Sequence, residues 1–130
     1  MVCLLDASVV IHLLEGHEGI AGAVSELVSG FDISALTRSE LENGIARDPA
    51  NAEMRRAMLD AFLATIAVLP FGDDAAAEYG RIVGALGYSR AKTIDRMLAA
   101  QAIVSGAQLI TMNGDDFRPI ADLNLAVWVG

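Results

Sequence analysis

Val2-Cys3-Leu4-Leu5-Asp6-Ala7-Ser8 is the stretch that decides how this chain is read. Four apolar residues are too few for a helix, and a run of that length followed by a different pattern reads as a short strand buried on both faces. The run stops on a carboxylate. Val9, Val10, Leu13 and Leu14 recur at helical spacing immediately after it, so Asp6 is expected at the carboxyl end of a strand where the chain turns into a helix. In open α/β sheets that edge is where ligands bind. An Asp beside a helix start is also a common cap, and this stretch by itself leaves both roles open.

Outward from there, strand and helix signals alternate. Ile20, Ala23, Val24, Leu27 and Val28 mark an amphipathic helix ended by Gly30. Phe31-Asp32-Ile33-Ser34-Ala35 reads as a second strand, and Thr37-Arg38-Ser39-Glu40 matches the Ser/Thr-x-x-Glu capping box that opens a helix. That helix carries Leu41 and Ile45 inward and ends before Pro49, and a longer helix is expected from Asn51 to Thr65. Ile66 to Leu69 is a third strand stopped by Pro70, followed by a helix from Asp73 or Asp74 to Gly87. After a polar loop, Tyr88 to Lys92, Thr93 is read as the N-cap of a nearly all-apolar helix, Ile94 to Ser105. Gln108 to Thr111 and Leu125 to Val129 complete five short strands. The fold class is therefore α/β, with a central, largely parallel sheet and helices on both faces.

The composition bounds the function. One hundred and thirty residues, 54% apolar and 20% charged, suit one compact domain, residues 1–130. The single cysteine, Cys3, sits inside the apolar first strand, where a thiol packs as a small hydrophobe and has no intrachain partner. A reducing, cytoplasmic setting is expected. The first residues lack the basic region of a secretory signal, and no apolar run approaches a membrane span. A formal net charge of −8 opposes adhesion to nucleic acid over the whole surface, though not through a local basic patch.

Four further acidic or amide positions fall where they can meet Asp6. Glu40 is followed one turn later by Gly44, and a mid-helix glycine is most simply explained by something packing closely on that ridge, which would turn Glu40 inward. Completion of the capping box with Thr37 would also account for Glu40, and Glu42 lies on another side. Asp95 shares a ridge with Leu98, Ala99 and Ala102, and a carboxylate aligned with core positions is costly unless paired or metal-bound. Asn113 and Asp116 sit in the acidic turn after the fourth strand. Carboxylates gathered at one sheet edge repel one another and are stabilised by a cation among them. Oxygen ligands favour Mg²⁺ or Mn²⁺. His12 and His17 are read as surface residues. Arg90, Lys92 and Arg96 bracket Asp95 within seven residues, which is either a positive rim for phosphates or an ordinary solvated loop.

These pieces, in this order, resemble the PIN domain and within it the VapC-like ribonuclease toxins of bacterial type II toxin–antitoxin systems. The resemblance rests on Leu4-Leu5-Asp6-Ala7-Ser8, on Ile33-Ser34-Ala35 with Ser39-Glu40-Leu41 and Gly44, and on Asp95 to Ala100. It extends to Leu109 to Asn113 with Asp116-Phe117 and Trp128. It implies a three-layer α/β/α fold and a Mg²⁺-dependent endoribonuclease with Asp6, Glu40 and Asp95 as metal ligands. Ser8 and Thr111 would orient that set, and Mn²⁺ would substitute. It further implies an RNA substrate, products with a 5′-phosphate and a 3′-hydroxyl, a homodimer, and a cognate antitoxin that covers the active-site groove. Met54, Met58, Phe62 and Leu63 are candidates for that groove, with core packing the simpler role. Where the family usually has a fourth acid, two residues after the threonine, this chain has Asn113, so either Asn113 or Asp116 completes the site. A receiver or haloacid-phosphatase domain also places Asp after its first strand, but position 8 is Ser8 and no lysine follows a late strand. A second reading keeps the fold without strong catalysis, as a module that binds RNA or protein, motivated by Asn113 and the acidic surface.

Overall fold

The computed structural model describes residues 2–129. Each expected strand forms: β1 (Cys3–Leu5), β2 (Phe31–Ser34), β3 (Val68–Leu69), β4 (Gln108–Thr111) and β5 (Leu125–Val127). All neighbours pair in parallel, in the order β3-β2-β1-β4-β5. The helices are α1 (Ala7–Leu14), α2 (Glu18–Ser25), α3 (Ala35–Ala46), α4 (Ala52–Leu63), α5 (Asp73–Leu86) and α6 (Thr93–Ser105), with 3-10 turns at Pro49–Asn51 and Gly114–Asp116.

The alternation of side chains along β1 makes the three layers. Cys3 and Leu5 enter one apolar cluster with Val9, Val10, Ile20, Leu41 and Leu59, whereas Leu4 enters another with Ile82, Leu98, Ala99 and Ala102. Helices α1, α2 and α4 thus cover one face of the sheet and α5 and α6 the other, as a parallel sheet buried on both sides requires. Strand order reverses beside β1, with β2 and β3 on one flank and β4 and β5 on the other. A crevice therefore opens outside the carboxyl ends of β1 and β4. Asp6 follows the first and Thr111 ends the second.

Four local readings change. Helix α3 opens at Ala35, not at a Thr37 cap, because Ser34 ends β2 and its Oγ already accepts from Leu36 N at 3.0 Å. Thr37 is instead fully buried and its hydroxyl donates to Leu5 O at 3.4 Å. The cap of α6 is Lys92, and Thr93 Oγ1 donates back to Ser89 O at 2.9 Å. Helix α2 ends at Ser25, before the chain can return Val28 to the core, and Val28 is fully exposed. A Cβ on Gly44 would meet only the Arg55 guanidinium, at 3.6 Å, so no close packing explains that glycine. Among the described residues no helix is long and apolar enough to cross a membrane.

Candidate active site

Asp6 is buried between β1 and α1 and serves both roles that its sequence position left open. Its Oδ1 caps α1 by accepting from Ala7 N at 2.8 Å. Its Oδ2 accepts from Thr111 Oγ1 at 2.7 Å and from Ser8 Oγ at 3.2 Å. Both hydroxyls are themselves held: Thr111 Oγ1 accepts from Asn113 N at 3.0 Å, and Ser8 Oγ from Met112 N at 3.2 Å. Asp6 N donates to Ile110 O at 2.9 Å, so the carboxylate is locked to β4 through side chain and backbone alike. Hydroxyl donors arranged this way fix a rotamer that a lone Asp on a turn would not keep.

Glu40 reaches the same place from α3. Its Oε1 is buried and accepts no hydrogen bond among the described residues, an arrangement that is costly for a carboxylate. Burial raises its pKa to about 7, and the charges of Asp6 and Asp95 add to the rise. Asp95 arrives in the first turn of α6, one turn before the fully buried Leu98 and Ala99. Burial lifts it to about 6, with contributions from Asp6 and Asp116 that nearby Lys92 partly opposes. Asp6, Glu40 and Asp95 thus repel in every pairing, from three separate elements around one space. Among the described residues they do not close into a finished three-ligand cage, yet all their free donors are oxygens and one of them, Glu40 Oε1, lacks any partner.

Asp116 and Asn113 separate here. Both line an open polar cleft of about 440 Å³ with Met112, Gly114, Asp115, Arg118 and Val127. Asp116 is half-buried and its charge reaches Asp95. Asn113 is exposed and ties into the site through its backbone N–H on Thr111.

The expected cationic rim is also divided. Arg96 is buried and donates to Gly87 O at 2.5 Å, so its guanidinium braces the preceding loop and cannot meet solvent phosphates. Lys92 is half-buried close enough to Asp95 to act on it, and Arg90 is exposed. His12 and His17, read from the sequence as surface residues, are partly buried, with ring centroids 5.7 Å apart edge-to-face; His12 Nδ1 lies 2.8 Å from Ser8 O and His17 Nδ1 accepts from Ile20 N at 3.2 Å as the cap of α2. Glu42 pairs outward with Arg38 and Arg56.

Gln101 was not singled out in the sequence. Buried on α6, it accepts a short hydrogen bond from Ser34 Oγ and donates to Leu69 O and Pro70 O, both at 3.1 Å. It fastens the helix that carries Asp95 to the ends of β2 and β3. The available signal was its isolation as the one polar side chain between Met97 and Val104.

A groove of about 500 Å³ lies between α1, α3 and α4, lined by Ile11, Leu14, Leu41, Ile45, Met54 and Met58. Met54 is 57% exposed there. Phe62 and Leu63 pack against the core instead.

Comparison with known proteins agrees with this architecture. The family described as PIN domain matches residues 3–123. Ribonuclease VapC1 of Rickettsia felis is 31% identical over 96% of this chain and 95% of its own length. Among solved structures, DNA-bound VapBC from Salmonella typhimurium aligns with a TM-score of 0.86 and 26% identity, covering 99% of both chains. VapBC-1 from nontypeable Haemophilus influenzae aligns with a TM-score of 0.83 and 26% identity over 98% of both. With the strand order, the two-sided core and the acids at the switch point accounted for, the chain belongs to the PIN domain family.

Proposed function

We propose that the chain is an endoribonuclease toxin that hydrolyses RNA phosphodiester bonds with a divalent cation and is held inactive by a cognate antitoxin. The ribonuclease and toxin–antitoxin parts are supported by the likeness to VapC and VapBC proteins. The cation is supported by one observation above all, the buried and unpartnered Glu40 Oε1 beside Asp6 and Asp95. Three mutually repelling carboxyl groups with oxygen donors and no thiol or imidazole among them fit Mg²⁺, with Mn²⁺ as a substitute.

In this reading Asp6, Glu40 and Asp95 hold the ion, and Asp116 stands beside Asp95 as the fourth acid in preference to Asn113. Mg²⁺ bound there supplies activation of water and neutralisation of charge on the scissile phosphate. The chain's own part is positional. Thr111 and Ser8 keep Asp6 Oδ2 aimed, while Lys92 and Arg90 meet phosphates in place of the buried Arg96. Burial raises the pKa of Glu40 to about 7 and of Asp95 to about 6, so cation binding near neutral pH would displace protons, chiefly from Glu40. Water is the nucleophile, and the products carry a 5′-phosphate and a 3′-hydroxyl.

The groove lined by Met54 and Met58 suits the apolar face of an antitoxin helix, since methionine surfaces adapt to partner helices. A homodimer and a cytoplasmic setting complete the proposal. The test is cleavage of RNA by antitoxin-free protein. Cutting is expected with Mg²⁺ or Mn²⁺, none in EDTA, and none from a folded Asp6→Asn variant; persistence in EDTA would sink the metal mechanism.

A further inference from the structure

The loop between α5 and α6 carries the protein's conspicuous exposed aromatic side chain. Tyr88 is 72% exposed, and neither it nor Arg90 has a side-chain hydrogen bond or ion pair among the described residues. A single exposed aromatic is ordinary on a surface. The frame that holds this one is not. Gly87, at φ +83°, turns the chain out of α5, and its carbonyl accepts from Arg96 Nη1. Ser89 O accepts from Thr93 Oγ1 at 2.9 Å and from Lys92 N at 3.3 Å. Tyr88 is therefore displayed between two pinned residues, and one of the pins, Arg96, is the neighbour of Asp95 in the chain. The same loop holds Arg90 exposed and Lys92 close to Asp95, a local positive segment on a chain of net charge −8.

We propose that Tyr88 is a base-stacking platform for single-stranded RNA, holding a nucleotide that flanks the scissile phosphate while Arg90 and Lys92 take the adjoining phosphates. This rests on the ribonuclease reading and adds to it a positioning residue. A ring on a braced loop loses little freedom when a base stacks on it, and every unpaired base offers a face. Bases within a duplex are already stacked and present edges only, so the platform selects loops and tails over helices. One aromatic ring followed within four residues by two cations, Arg90 and Lys92, favours RNA over a protein partner, because each nucleotide offers both a base to stack and a phosphate to pair.

The probe is a single-stranded oligoribonucleotide carrying 2-aminopurine, titrated with Ca²⁺ in place of Mg²⁺ and checked for integrity on a gel. Stacking quenches the fluorophore. The parent and Tyr88→Trp are expected to bind and quench, and Tyr88→Ala to bind about ten-fold more weakly without change in melting temperature. A duplex of the same sequence is expected to bind equally to all three. The proposal is overturned if Tyr88→Ala binds as the parent does, if the parent fails to bind, or if the substitution alters only the oligomeric state, which would assign Tyr88 to a protein interface. Hydrolysis in Mg²⁺ is scored separately. Tyr88-dependent binding without hydrolysis would refute the ribonuclease and leave the platform, and hydrolysis indifferent to Tyr88 would do the reverse.

Discussion

Replacing Glu40 by Gln should stabilise the cation-free protein, and by an amount that depends on pH. Glu40 has its pKa raised from an ordinary 4.5 to about 7 by burial and by Asp6 and Asp95. The folded state therefore binds the proton more tightly than the unfolded chain does. Stability falls as pH rises from 4.5 toward 7 and stays lowered above that, because folding then forces a charge into the cluster. A difference of that size corresponds to at most about 3 kcal/mol, and screening at a half-open site reduces it to about 2 kcal/mol at pH 8. Glutamine keeps the shape of the protonated acid and cannot ionise. In EDTA the Glu40→Gln variant should melt roughly 6 °C above the parent at pH 8 and about 2 °C above it at pH 5, given how such free energies convert for a domain of this length. Adding Mg²⁺ should raise the parent's melting temperature and narrow the gap, since a cation removes the repulsion the variant lacks. A gap that is equal at the two pH values, or a variant less stable at pH 8, would refute the electrostatic account of the site.

Two other outcomes follow from side-chain placement. Arg96→Ala should cost about 1–3 kcal/mol of stability through lost packing and the lost bond to Gly87 O, with RNA affinity falling only as the loop loosens, whereas Arg90→Ala should weaken RNA binding with no change in melting temperature; calorimetry and binding titrations on both variants separate the two roles. Asp116→Ala should raise the Mg²⁺ concentration needed for half-maximal cleavage, while Asn113→Ala should leave it nearly unchanged, because the charge of Asp116 reaches Asp95 and Asn113 enters the site through its backbone.

Several features were open to view in the chain because they arise locally. The strands are short apolar runs, each closed by a turn signal, and β4 coincides with its expected bounds, Gln108 to Thr111. The others differ by a residue or two at their ends, where hydrogen bonding to a neighbouring strand, which the chain's own pattern does not contain, sets the limit. The capping box misled because two caps competed. Thr37 and Glu40 had the right spacing, but Ser34 lay closer to the strand and capped first, leaving Thr37 to the core and Glu40 to the site. Gly44 suggested the inward turn of Glu40 for a reason that the contacts do not support. Arg96 looked like part of a cationic rim because adjacency in sequence says nothing of direction. On α6 one residue's turn separates Asp95, which faces the acids, from Arg96, which faces the loop.

The sequence by itself determined the alternation of strand and helix, the two-sided burial of β1, the acidic character of the strand ends, and the family. The first three follow from spacing within single elements, and the family resemblance from the order of those pieces along the whole chain. Only the tertiary structure decided that β4 lies beside β1, so that Thr111 and Asp6, 105 residues apart, share a hydrogen bond. It also decided that, among the described residues, Glu40 Oε1 ends without a hydrogen-bond partner, that the charge of Asp116 reaches Asp95, and that Arg96 serves the loop displaying Tyr88. Those are relations between elements, set by strand order and helix packing, and a carboxylate acquires an unusual pKa only from the neighbours that such packing brings to it.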